Sequence, residues 1–197
     1  MRVLIACEYS SRVRETFRAR GHDAWSVDLL ETEGDPRFHV RGDALTLAHA
    51  ELWDLMIAFP PCQYLTNSNA WRWDAIASER EQALGFVRDL LDAPIPRIAL
   101  ENPVGAIGTN IRKADQYVQP WHYGDHFQKT TGLWLVGLPL LTPEITTRPD
   151  DVQPWCSAGY GPKNDQGQRA VKGRSFGWKD RALTFPGIAR AMAEQWG

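Results

Sequence analysis

The sequence is poor in features that would place it in several familiar classes. It has only three cysteines, Cys7, Cys62 and Cys156, which are too scattered for a disulfide framework, and none belongs to a Cys-x-x-Cys pair. Its five histidines lack ligand-like spacing, so no metal site is expected. No apolar run approaches the length that crosses a bilayer, and no membrane association is expected. The opening Met1-Arg2-Val3-Leu4-Ile5-Ala6 is too short and too poorly flanked for a signal peptide and reads as a core strand, so a cytoplasmic protein is expected. A large excess of charge is missing as well: a net charge of −2 excludes a protein that coats DNA by charge alone.

What is present is ordinary globular material. A chain of 197 residues, 43% hydrophobic and 23% charged, suffices for one buried core with a small appendage. Apolar runs at 2–6, 24–27, 55–59, 97–100 and 133–136 read as strands. Helical character lies between them, at 11–20 (Ser11 as a cap, Gly21 as a stop) and 78–91, and a closing helix is expected at 187–196. Alternation of this kind predicts an α/β domain, a doubly wound and mainly parallel sheet covered on both faces. Residues 139–186, rich in Pro, Gly and polar side chains, read as a loop-rich C-terminal insertion. The expected division is therefore 1–138 for the main domain, 139–186 for the insertion and 187–197 for a helix returning to the main domain.

Parallel sheets bind ligands outside the carboxyl ends of their strands. Special residues gather at those ends here: Cys7-Glu8, Asp28, Asp43, Pro60-Pro61-Cys62-Gln63 and Glu101-Asn102-Pro103. The two prolines before Cys62 stiffen the chain and aim the next side chain off the sheet edge, as a nucleophile requires. A buried structural cysteine is the alternative. Glu101, at a neighbouring strand end, is a candidate acid or a cap for local amides. Together a thiol and an acid fit attack at C6 of a pyrimidine, with protonation at N3 making C5 able to accept a methyl group.

Pro60-Pro61-Cys62-Gln63, preceded by Trp53-Asp54-Leu55 and followed by Glu101-Asn102-Pro103, resembles the DNA (cytosine-5) methyltransferase family. The resemblance covers most of residues 2–138. It implies a Rossmann-like class I methyltransferase fold, S-adenosyl-L-methionine as cofactor, DNA with a flipped cytosine as partner, and a monomer. Cys62 would be the nucleophile and Glu101 the proton donor. The donor pocket would comprise Ala6, Cys7, Glu8 and Tyr9, Asp28 (on the ribose) with Leu29, Asp43 (on the adenine amino group) with Ala44, and Phe59 with Pro60. Pro61, Gln63, Asn102, Pro103, Gln128, Lys129 and Trp71 would meet the substrate, together with Lys172 and Arg174.

The family's Gly-rich donor loop is replaced by Ala6-Cys7-Glu8-Tyr9-Ser10-Ser11, where Glu8 is a candidate for the donor's amino group. Its Gln-x-Arg-x-Arg segment becomes Gln128-Lys129-Thr130-Thr131-Gly132, keeping only the glutamine in place. Phe185 to Arg190 loosely resembles the family's last motif. Trp71 and Trp73, in a polar stretch after the catalytic turn, form a lid that either meets substrate or packs on the domain. The stretch from Cys156 to Arg181 holds six basic residues against two acidic ones, +4, leaving −6 for the rest. With Tyr160, Phe176 and Trp178 it reads as a reduced target-recognition region or a solvated loop. Compactness suggests an enzyme of phage or mobile-element type. The same chemistry on RNA or a free cytosine nucleotide, and a degenerate non-catalytic binding fold, stay open.

Overall fold

The structure, a computed structural model, describes residues 1–155 and 183–197, without the side chains of Asn69 and Arg72. Short apolar runs bounded by turn residues build its central sheet. In chain order the elements are β1 (Arg2–Ala6), α1 (Arg12–Ala19), β2 (Asp23–Asp28), β3 (His39–Arg41), α2 (Ala44–Ala50), β4 (Leu55–Ala58), α3 (Ala77–Leu91), β5 (Ile98–Pro103) and α4 (Ala106–Asn110). They continue with β6 (Gln116–Val118), β7 (Phe127–Gln128), β8 (Thr131–Val136), β9 (Gln153–Pro154) and α5 (Pro186–Gln195).

Seven strands form one sheet in the order β3-β2-β1-β4-β5-β8-β6. The pairs from β3 to β5 are parallel, and β8 runs antiparallel to both β5 and β6. The winding direction reverses between β1 and β4, and a crevice opens at the carboxyl ends of such a pair. The strands are buried on both faces, which is why their sequences are continuous apolar runs rather than alternating ones. Val3, Ile5, Leu55, Ile57 and Ala99 meet Val13 and Phe17 of α1 and Ile188 and Met192 of α5 on one face. Leu4, Ala6, Met56, Ala58 and Leu100 meet Ala48 of α2, Leu84, Val87 and Leu90 of α3 and Ile107 of α4 on the other. Each fully buried Leu or Ile of this kind contributes about 1.5–3 kcal/mol.

Three local expectations need correction. Ser11 does not cap α1: its side chain makes no cap hydrogen bond, and its backbone is left-handed with φ 63°. The strand expected to stop at Leu100 runs through Glu101, Asn102 and Pro103, because β8 pairs with it as far as Thr131. Residues 139–155 also contribute to the main domain. Leu141 is buried in the α1/α5 cluster, and β9 pairs with β7.

Candidate active site

The loop after β1 has the backbone of a glycine-rich turn without its glycines. Cys7 and Ser11 both have positive φ, 60° and 63°. A left-handed conformation costs a residue with a Cβ about 1–2 kcal/mol. The loop holds it because Glu8, drawn inward between these two positions, satisfies the open end of α1. Its carboxylate accepts hydrogen bonds from Val13 N (2.7 Å) and Arg14 N (3.2 Å). Burial raises its pKa to about 7 against the pull of those amides and of Arg14. Glu8, expected to meet a donor amino group, is buried and serves as the cap of α1. Ser11→Gly relieves strain at one of the two left-handed positions, and the glycine's greater freedom in the unfolded chain offsets part of the gain. A net stabilisation of about 0.5–1 kcal/mol is expected, read as a higher urea midpoint at unchanged m-value.

The carboxyl ends of β1, β2 and β3 converge. The Cys7 thiol is pushed up to about 12 by burial, with the Asp28 and Asp43 carboxylates adding to the rise, so all three groups share one corner of the rim. Asp28 also closes a local turn by accepting from Leu30 N (2.9 Å). Asp43 is the N-cap of α2: one oxygen accepts from Thr46 N and Thr46 Oγ1, both at 2.8 Å. These bonds, the hydroxyl's first, hold its pKa below the usual carboxylate range. Leu29, 73% exposed, stands beside this corner as an apolar surface without cover. Ala6, Tyr9, Ala44 and Pro60 are buried and contribute walls and backbone. The Ala6 carbonyl accepts from Phe59 N (2.9 Å), joining the ends of β1 and β4.

A relay running from the buried Arg14 to the surface braces the Asp28 loop. A carbonyl only accepts, so His39 Nε2–H donates to Leu30 O (3.0 Å), and Nδ1 then accepts from the Ser26 hydroxyl (2.8 Å). Ser26 Oγ in turn accepts from the fully buried Arg14 guanidinium (3.0 Å). None of these three residues carried a signal in the sequence, since the relay joins α1, β2 and β3 only in space.

The second half of the site lies on β4 and β5. Cys62 is exposed at the turn after β4, as the paired prolines led one to expect. Asn102, on β5, donates from Nδ2 to the Pro60 carbonyl (2.8 Å) and so clamps that turn to the strand carrying Glu101. Asn102 is 1% exposed, and its Oδ1 has no hydrogen-bond partner. Glu101 projects to the opposite face. Burial raises its pKa, while the Lys129 ammonium and a hydrogen bond from the Thr131 hydroxyl oppose the rise. A carboxyl so placed stays protonated at higher pH than a surface one and is suited to proton donation.

Lys129, one place off the expected motif, is therefore brought to Glu101. Its partner Gln128 is exposed on β7. Thr131 was missed because its position opposite Pro103 depends on the antiparallel register of β8. Trp155 packs edge-on against Phe127 and Phe185, which are tilted to each other, with ring centroids 4.6–5.8 Å apart, and Lys129 Nζ lies 6.0 Å from the Phe185 ring centre.

Pro61 and Gln63 are exposed beside Cys62, and Pro103 is partly buried. The two lid tryptophans separate. Trp71 is 81% exposed on a short 3-10 helix (Asn67–Arg72), whereas Trp73 packs into the α2/α3 cluster beneath Arg80 (5.2 Å). Lys172, Arg174 and the rest of the basic stretch lie outside the described residues. Among the described residues no group of His, Cys, Asp and Glu could hold a metal ion, and no helix is long and apolar enough to cross a membrane.

No family profile matches the chain, and no curated protein does. Among solved structures it is similar to an rRNA methylase from Escherichia coli, with TM-score 0.42 and 14% identity over 68% of this chain and 56% of that one. It is similar also to the 16S rRNA methylase RmtB, with TM-score 0.39 and 14% identity over 68% and 54%. The chain thus spans little more than half the length of the structures it matches. The strand order, the reversal between β1 and β4 and the antiparallel β8 establish a Rossmann-like α/β fold.

Proposed function

We propose that the protein transfers a methyl group from S-adenosylmethionine to C5 of cytosine in DNA, with Cys62 as nucleophile and Glu101 as proton donor. The observation that carries this reading is the clamp between the two: Asn102 fixes the exposed Cys62 turn to the strand on which burial raises the pKa of Glu101. The Cys62 sulfur adds to C6 as the Glu101 carboxyl passes its proton to N3, leaving C5 electron-rich. Thr131 and Lys129 hold the Glu101 carboxyl in place and receive it as a carboxylate once the proton has gone. With the methyl group on C5, the C5 hydrogen leaves as a proton to water, the C6–sulfur bond breaks to re-form the ring double bond and free the Cys62 thiolate, and N3 returns its proton to Glu101.

The donor fits the corner formed by Cys7, Asp28 and Asp43. Left-handed backbone at Cys7 gives the loop the shape a glycine turn would have, two carboxylates face the place of ribose and adenine, and Leu29 supplies an apolar surface. When bound there, S-adenosylmethionine supplies an electrophilic methyl group on sulfur. A flipped base costs on the order of a few kcal/mol to extrude, and the exposed Trp71, Pro61 and Gln63 are the described residues placed to offset it.

Duplex DNA carrying 5-fluorocytosine tests the chemistry, since fluorine at C5 cannot leave as a proton and the adduct persists. A covalent Cys62–DNA species dependent on the donor is expected, seen as a shifted band and a modified peptide. No adduct with DNA but one with labelled RNA or a cytosine nucleotide would reassign the substrate. No adduct with any of them, and no heat of binding with S-adenosylmethionine, would leave a non-catalytic fold.

A further inference from the structure

The turn that carries Cys62 is held by more than Asn102. The Cys62 carbonyl accepts from Leu65 N (3.0 Å) and Thr66 N (2.9 Å), closing one helical turn on itself. The chain then runs alongside the segment that follows β5. Leu65 O accepts from Ala106 N (2.7 Å), Asn67 N donates to Val104 O (3.1 Å), and Thr66 forms an antiparallel bridge with Gly105. Leu65 is fully buried in the same cluster as Ala106 and Ile107. The two backbones approach so closely that a Cβ on Gly105 would run into the Leu65 carbonyl. Gly105 has an extended φ of 175°, which any residue adopts, so its need is for space and not for conformational freedom.

We propose that Gly105 is a positioning residue, and that the seam it permits, 60–67 against 102–106, fixes the Cys62 turn in its reacting position before substrate arrives. This rests on Cys62 being the nucleophile. The physical basis is pre-organisation: a displacement of about 1 Å between reacting groups costs on the order of 10²-fold in rate. The seam consists of backbone hydrogen bonds between two loops that join different strands, so it acts on the place of Cys62 without touching the donor corner at Cys7, Asp28 and Asp43.

Two variants open the seam in different ways. Gly105→Ala forces the backbones apart. Asn67→Pro removes the N–H that Val104 O accepts and leaves Gly105 untouched. Thr66 already has the extended backbone favoured before proline (φ −75°, ψ 144°), and Asn67 opens a 3-10 turn, where proline is tolerated. Gly108→Ala, where an added Cβ meets nothing within 4 Å, is the control.

In both seam variants the rate of Cys62 adduct formation with 5-fluorocytosine DNA is expected to fall by at least about tenfold. Affinity for S-adenosylhomocysteine, read by calorimetry, stays within about twofold. Amide exchange across 62–66 accelerates while that of β1 and β2 does not. Unchanged adduct formation overturns the proposal, and so does faster exchange spread over the whole sheet, which would mark a general loss of stability. Should Gly105→Ala fail to fold, Asn67→Pro decides. A wild-type chain that forms no adduct at all overturns the assigned reaction instead, and local exchange at 62–66 then decides the seam alone.

Discussion

Cys62→Ala is expected to abolish methyl transfer, by at least on the order of 10⁴-fold, while the fold and donor binding persist. The substitution removes one exposed sulfur. The Cys62 carbonyl keeps its bonds from Leu65 and Thr66, and Pro60 keeps its bond from Asn102. Stability should therefore move by no more than about 0.5 kcal/mol. Cys7 cannot stand in for the lost thiol, because it is largely buried and its pKa near 12 keeps it neutral across the physiological range. Single-turnover transfer from a tritiated donor, with the urea midpoint measured alongside, separates the two effects. Transfer retained to within about tenfold would mean that no covalent bond to this sulfur is made.

The candidate site was readable in the sequence where a strand stops abruptly. Pro60-Pro61 ends β4 and Glu101-Asn102-Pro103 lies at the end of β5, so the exposed Cys62 and the half-buried Glu101 fell on one rim from punctuation alone. The long helix α3 and the strands β1 and β4 were equally visible, since continuous apolar runs and 3.6-residue spacing are local properties. Elements without such a signature were not. His39-Val40-Arg41 becomes β3 only by pairing with β2, and β6, β7 and β9 are two or three residues long. The capping of α1 was misread for a related reason. A serine beside a helix start is the ordinary cap, but here the left-handed backbone at Cys7 and Ser11 turns Glu8 into that place. Asp43 shows the reverse: a carboxylate assigned only to a ligand also anchors α2. Gly105 had no visible role until the loop it meets was known.

Glu101→Gln should lower kcat by about 10²–10⁴-fold, the range for loss of a positioned proton donor, with far less effect on KM for nucleic acid. Gln keeps the shape and can still hydrogen-bond, but has no proton to give to N3. The wild-type pH profile carries the sign. Burial raises the folded pKa of Glu101, so the protonated, active form persists above the usual carboxylate range, and the rate falls as pH rises through that pKa. Stability follows the same direction: the contribution of this group is complete below the unfolded value and is lost as pH climbs through the folded one. Lys129 is the main opposing charge. Lys129→Met removes it, so the alkaline limb of the profile should move to higher pH, the opposite of what loss of a simple phosphate contact would do. A limb that stays in place or moves toward acid would show that the group titrating in the profile is not Glu101, and the proton at N3 would have to come from elsewhere.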